Sequence, residues 1–284
     1  MIKILVDSAS DISVKEAQEL GIHLISMQIR FGTDEYLDGE NLLPEDFYDK
    51  LAKSDELPKT SLVNEFRWQE KFEELTKDGS EVIAITISSN LSGTYEAAKN
   101  ASEKFDGKVF VVDSLNACAG ERILVEYAIK LVKDGKSATE IKEELDQKKN
   151  KVRIMARINT LEYLRKGGRI SSVVAVAGTM LSIKPLISVI DGKVKVIGKA
   201  MSAKKANLLL NSFIQNGGGI DFDMPYCAIL SGSDEIALSN YLSDSSILWK
   251  HATDFMRTCK IGSTIGTHVG PGAVGLAFFE KGSN

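Results

Sequence analysis

The rhythm of apolar runs changes half-way along the chain, and that change limits the folds open to it. Residues 2–6, 81–87 and 109–112 are short apolar runs that end in Asp7-Ser8, Ser88-Ser89 and Asp113-Ser114. Helical spacing follows Asp11 or Ser13, follows Pro44 through Phe47, Tyr48 and Leu51, covers about 91–105, and returns near 118–133 and 137–149. Capping side chains and an early proline suit helix starts. Residues 22–27 read as another strand, and 28–31 with 35–37 as a small hairpin around Gly32-Thr33-Asp34. Strands alternating with helices, with polar groups at strand ends, predict a parallel doubly wound sheet. Ligands in such sheets sit at the carboxyl ends of the strands.

Beyond residue 150 the pattern differs. Residues 152–156 read as a strand, 161–165 as a short helix stopped by Gly167-Gly168, and 171–181 as a helix of small residues. Residues 184–190 and 193–198 flank Asp191-Gly192, a strong type I′ hairpin signal. Ser202 caps a helix through Phe213, and 226–231 and 273–279 are strands. Hairpins mixed with helices predict an antiparallel sheet. The expected fold class is therefore α/β in two domains: 1–150, an N-terminal parallel α/β domain, and 151–284, a C-terminal α+β domain.

Composition narrows the function classes. The 284 residues carry a net charge of −4, with 43% hydrophobic and 26% charged residues. That balance describes a globular protein and speaks against nucleic acid as its main partner. The opening Met1-Ile2-Lys3-Ile4-Leu5-Val6-Asp7 reads as a strand rather than a targeting segment. No run approaches the roughly 18 apolar residues needed to span a bilayer. Cys118, Cys227 and Cys259 are odd in number and far apart, which fits neither a disulfide framework nor a zinc knuckle. A cytoplasmic protein with reduced thiols, and without metal or cofactor, is expected.

Three distant segments carry the polar chemistry. They are Lys59-Thr60-Ser61, Ser88-Ser89-Asn90-Leu91-Ser92-Gly93-Thr94 and Gly266-Thr267-His268-Val269-Gly270-Pro271-Gly272. Hydroxyls and backbone N–H groups hold an anionic or carbonyl oxygen without a full cation, and glycines let the backbone approach a ligand. One hydroxyl suffices to cap the helix after Ser88; four are present, at a helix start whose dipole attracts anions. The nucleophile elbow of serine hydrolases, G-x-S-x-G, is absent there. His268 stands among glycines and is the histidine placed to face a cavity, whereas His23 and His251 read as structural. Arg169, in Gly167-Gly168-Arg169-Ile170-Ser171, is placed either in a solvated connection or beside a ligand oxygen. Neither a P-loop nor a dinucleotide-binding fingerprint occurs.

The whole set resembles the DegV family. The resemblance rests on Val6-Asp7-Ser8, Tyr36-Leu37-Asp38-Gly39 with Phe47-Tyr48, Lys59-Thr60-Ser61 and Ser92-Gly93-Thr94. It continues in Leu161-Glu162-Tyr163-Leu164-Arg165-Lys166-Gly167-Gly168-Arg169-Ile170, Ile183-Lys184-Pro185-Leu186 and Ile265-Gly266-Thr267-His268-Val269-Gly270-Pro271-Gly272-Ala273. It implies two domains with a long-chain fatty acid between them and a non-enzymatic lipid carrier. The implied carboxylate-binding residues are Thr60 and Ser92, with Ser61, Gly93, Thr94, His268 and Arg169 as neighbours. Leu62-Val63 departs from the Gln-Pro that often follows Thr-Ser in the family. The resemblance also implies a separate kinase subunit that phosphorylates the presented carboxylate. We place its docking at Lys199, Lys204 and Lys205, and peripheral membrane contact during ligand exchange is compatible with this reading. The competing class is an enzyme, hydrolase or phosphotransferase, using His268 in the same pocket.

Overall fold

The computed structural model describes residues 1–170, 183–252 and 256–281. In chain order, β1 (Ile2–Asp7), α1 (Val14–Leu20), β2 (His23–Ile25), β3 (Gln28–Phe31) and β4 (Asp34–Leu37) come first. Then follow α2 (Pro44–Lys53), β5 (Lys59–Ser61), α3 (Glu65–Thr76), β6 (Glu81–Thr86) and α4 (Thr94–Ser102). The first half ends with β7 (Val109–Asp113), α5 (Cys118–Lys133) and α6 (Ala138–Lys148). The second half holds β8 (Val152–Arg157), α7 (Glu162–Lys166), β9 (Lys184–Ile190), β10 (Lys193–Ala200) and α8 (Ala203–Asn216). It closes with β11 (Cys227–Leu230), α9 (Glu235–Asp244), β12 (Arg257–Lys260), α10 (Ser263–Val269) and β13 (Val274–Phe279). The helix expected over 171–181 lies outside the described residues.

The fold is mixed α/β, as the two rhythms require. Strands β2-β1-β6-β7 form a parallel sheet. Strands β4-β3-β5 form a small antiparallel sheet, and β10-β9-β8-β13-β11-β12 a six-stranded one. The larger sheet is antiparallel except at its edge, where β11 and β12 run parallel. The sequence reading missed that pair together with α9, which supplies the crossover that parallel strands need. It also missed α3, β5 and α10. Every strand of the parallel sheet precedes residue 150, and every strand of the six-stranded sheet follows it.

Helix α5 joins the two halves. It touches β1 and β6 on one side and β8, β11 and β13 on the other. Ala119, Ile123, Leu124, Val125 and Ala128 are fully buried, and so is Glu121, so the helix is buried nearly all round, as a helix between two layers must be. Along β8 the side chains alternate: Ile154 and Ala156 join the core around α5, and Met155 points to the opposite face. On that opposite face α8 packs Ala206, Leu210 and Ile214 beside Leu186 and Phe278.

A second junction is the hairpin tip. Asp191 (φ 52°) and Gly192 (φ 74°) adopt the left-handed pair that a type I′ turn requires. The tip docks on the loop after β6: Ser88 Oγ donates to the Gly192 carbonyl at 2.9 Å, and Asn90 Nδ2 to that of Asp191 at 3.1 Å.

Buried carboxylates surround the start of α5. Asp7 accepts the N–H groups of Ala9 and Ile87 at 2.9 and 2.8 Å, yet burial pushes its pKa up to about 7. Glu121 is fully buried, neither of its oxygens has a partner, and burial holds its pKa well above the usual 4.5. A raised carboxyl stabilises the fold fully below its unfolded pKa, and that contribution is lost as pH rises through the folded value. The stability difference between the parent and Glu121→Gln should therefore shift toward the variant as pH rises above about 4.5, by at most about 1.4 kcal/mol per pH unit and levelling off above the raised folded value. Chemical denaturation at several pH values between 4 and 8 checks this; a pH-independent difference would refute it.

Candidate functional site

Between the two sheets lies a cavity of about 420 Å³, within the roughly 300–1,000 Å³ of small-molecule sites. Met27, Ile87, Leu91, Ala117 and Cys118 line it from the first half, and Ile154, Ala156, Ile187, Val189, Val194 and Ile229 from the second. Most of this wall is aliphatic, which favours an apolar occupant. Polar groups gather at one end, where Thr60, Ser61, Ser92, Gly93, Arg169 and His268 also line the cavity. Among the lining residues Ser61, Leu62 and Gly93 are exposed, Leu62 at 43%, so this polar end faces solvent.

Local structure sets each polar side chain. Thr60 sits on β5, paired with Ile29 of β3. Its Oγ1 lies 3.0 Å from Nε2 of His268, on the last turn of α10. Helix α10 is short and rich in β-branched residues and glycine, poor helix formers. Two carboxylates anchor its start: Asp11 accepts the Gly262 N–H at 2.9 Å, and Asp38 those of Ser263 and Thr264 at 2.9 and 3.2 Å. Two glycines open the space that α10 occupies. A Cβ on Gly266 would stand 2.6 Å from the Phe47 ring, and one on Gly167 would stand 2.2 Å from His268 Nδ1.

Ser92 lies just before α4, whose N-cap is Gly93 and lacks a side-chain cap. Its hydroxyl is 2.9 Å from Thr94 Oγ1 and accepts the Thr94 N–H at 3.3 Å. Thr94 itself is buried behind Ser92 and does not line the cavity. Of the expected site residues it alone stands back, acting through Ser92. Ser88, by contrast, is spent on the hairpin tip. Arg169 bridges two segments, donating from Nε to the Leu91 carbonyl at 3.2 Å and from Nη1 to that of Gly167 at 2.6 Å.

Electrostatics follow from this packing. Burial, with the nearby charge of Arg169, lowers the His268 pKa to about 4, so the ring is neutral near pH 7. Its Nδ1 is buried without a hydrogen-bond partner. In the Nε2–H tautomer of the neutral ring this nitrogen donates to Thr60 Oγ1 and leaves the Thr60 proton for a ligand; in the Nδ1–H tautomer it accepts that proton instead.

Lys199, Lys204 and Lys205 are exposed and do not line the cavity. Lys204 and Lys205 begin α8, which packs on the face of the six-stranded sheet opposite the cavity. Arg165 and Lys166 are exposed on α7, directly before Gly167 and its contact with His268. Sequence reasoning also missed Asp11, Asp38 and Gly167. A carboxylate or glycine whose partner lies more than a hundred residues away leaves no local signal.

A family model for DegV, a family of uncharacterised proteins, matches residues 1–281. The chain belongs to the DegV family. A DegV domain-containing protein of Clostridium perfringens is 34% identical over 97% of this chain and 96% of its own length. Another, from Caldanaerobacter subterraneus, is 32% identical over 99% of both chains. Solved DegV structures share the fold. One, described as fatty acid binding by a DegV family protein from Thermus thermophilus, has a TM-score of 0.87 and 27% identity. It covers 98% of this chain and 99% of its own. DegV of Bacillus subtilis, described as a fatty acid binding protein, has a TM-score of 0.82 and 29% identity over 99% of both chains.

Gly167→Ala tests the geometry of this DegV site. Gly167 has ordinary helical torsions (φ −74°), so alanine strains no backbone, but its Cβ takes the place of the His268 ring. The ring should move toward solvent, and its pKa should rise from about 4 toward the ordinary 6.5. NMR titration of the His268 imidazole reads this directly; an unmoved pKa would contradict the packing.

Proposed function

We propose that this chain binds one long-chain fatty acid, acyl tail in the apolar cavity and carboxylate at the polar end. The observation that carries the reading is one cavity with aliphatic walls that ends at Thr60, Ser92 and the start of α4, whose N-cap Gly93 has no side chain to offer. The fatty-acid binding described for the Thermus thermophilus and Bacillus subtilis proteins supports it.

The two ends have different work. A sixteen-carbon tail buries roughly 14 methylenes at about 0.8 kcal/mol each, near 11 kcal/mol before association costs. A neutral hydrogen bond adds about 0.5–1.5 kcal/mol. Affinity comes from the tail, and the hydroxyls fix which end faces out. Thr60, oriented by His268, and Ser92 donate to the carboxylate; Arg169 adds positive charge and holds Leu91 and Gly167 in place. An enzyme using His268 as base is the weaker reading, because a catalytic histidine is oriented through its second nitrogen, and here Nδ1 has no partner.

The same reading extends to hand-over: a separate kinase subunit phosphorylates the exposed carboxylate. Arg165 and Lys166, beside the polar end, suit its docking better than Lys199, Lys204 and Lys205, two of which sit across the sheet. Charge reversal at Arg165 and Lys166 should slow partner-dependent phosphorylation at low salt, and reversal at Lys204 and Lys205 should leave it unchanged.

Solvent extraction of the purified protein followed by mass spectrometry should yield about one fatty acid per chain. Thr60→Val and Ser92→Ala should each weaken fatty-acid affinity by about 1–3 kcal/mol, with circular dichroism unchanged. No extracted acid and no binding of added acid would end the carrier reading; wild-type affinity in both variants would move the headgroup site elsewhere.

A further inference from the structure

Away from the polar end, three buried side chains from distant parts of the sequence converge on different chemistry. Asp11 lies in the turn after β1, Cys118 is the first residue of α5, and Cys259 is on β12. One carboxylate oxygen and the two sulfurs lie within 4.8 Å of one another. Exposures are 8%, 5% and 0%. We propose that Asp11, Cys118 and Cys259 form a zinc site, a reading independent of the acyl-binding one.

The donor set selects the ion. Two thiolates with one carboxylate suit a borderline-soft dication such as Zn²⁺, whereas Mg²⁺ and Ca²⁺ want oxygen alone. Zinc–sulfur distances of about 2.3 Å put the sulfurs of a tetrahedral site about 3.7 Å apart. Closing the present triangle around an ion therefore takes side-chain shifts of only about 1 Å. Asp11 has the free capacity: Oδ1 accepts from Gly262, and Oδ2 is buried with no N–H or O–H donor, the carboxyl's other neighbour being the Cys118 thiol. An orphaned buried oxygen is costly, and a metal ion satisfies it. Asp11 (φ 55°) and Cys118 (φ 53°) both hold left-handed backbones, a cost that L-residues carry where the surroundings impose it.

Charge is also provided for. Two thiolates and a carboxylate on Zn²⁺ leave one net negative charge. Buried Arg122 lies near enough to Cys259 for their charges to interact, and its Nη1 donates to the Asp11 carbonyl at 3.5 Å. Binding exchanges two S–H bonds for two Zn–S bonds and adds a Zn–O bond to Asp11, releases the two thiol protons and any proton that burial keeps on the Asp11 carboxyl to solvent, and moves no electron. Affinity therefore rises with pH. Cys118 lines the main cavity, and Asp11 lines a second one of about 370 Å³ that also meets Ser13, Pro44 and Lys260. The ion would occupy the partition between them, with water in its fourth position, tying the turn after β1 and α5 to a strand of the six-stranded sheet.

The test uses the full chain, freed of metal by a chelator in the presence of a thiol reductant. Titration with Co²⁺ should saturate at one equivalent with thiolate-to-cobalt charge-transfer absorption, and Zn²⁺ should abolish that band. Cys118→Ser and Cys259→Ser should each weaken zinc at least tenfold, and Cys227→Ser, on neighbouring β11, should leave it unchanged. Absence of the charge-transfer band in the wild-type chain overturns the proposal without reference to any variant. Equal zinc affinity in all three variants overturns it as well, and would make the bound ion adventitious.

Discussion

Asp11 and Asp38, from the first 40 residues, accept the first N–H groups of α10, a helix from the far end of the chain. Helix starts leave such donors unsatisfied, and here they are answered from another part of the fold. Little in the sequence of α10 favours a helix; two buried acceptors hold it in place. Its last turn then sets His268 against Thr60, and the loop beyond it reaches β13 through Gly270, which has left-handed torsions (φ 69°). Remove that grip and the polar end of the cavity loses one of its two sides.

Burial then decides how this end behaves. A histidine in water carries a proton part of the time near neutral pH; His268, shielded and close to Arg169, does not. A neutral ring cannot act as a counter-ion, so it orients a hydroxyl instead. The positive charge comes from Arg169 and from the dipole of α4. Recognition by oriented dipoles with one offset cation suits an anion that must be held and yet remain reachable.

Much of the fold was legible because it is local. Alternating strands and helices, Ser13 and Ser202 as caps, and Asp191-Gly192 as a turn need only a few neighbouring residues, and the structure has them where the pattern put them. Helices α3 and α9 carry local caps and were passed over; β5 and α10 are elements that tertiary contacts impose. Strand β5 has three residues, and α10 has a sequence that would not be helical alone. For the site, the density of hydroxyls and glycines pointed to segments that line the cavity, and the family resemblance singled out Thr60 and Ser92. The contact of Thr60 with His268 spans 208 positions, and no periodicity encodes it. The lysines of α8 show the complementary limit. Their charge was plain, but the face of the sheet that α8 covers depends on the alternation of β8 and on what α5 already occupies.

Because the cavity draws its walls from both halves, it is an interface as well as a container. Whatever fills it adds buried apolar surface between α5, the loop after β6 and the β9–β10 hairpin, whose tip is otherwise fastened there by two hydrogen bonds to backbone carbonyls. Occupancy and closure are thus two readings of one free energy, and thermodynamics makes their coupling reciprocal. A tighter latch raises the affinity for the occupant by the same factor as the occupant raises the stability of the latch.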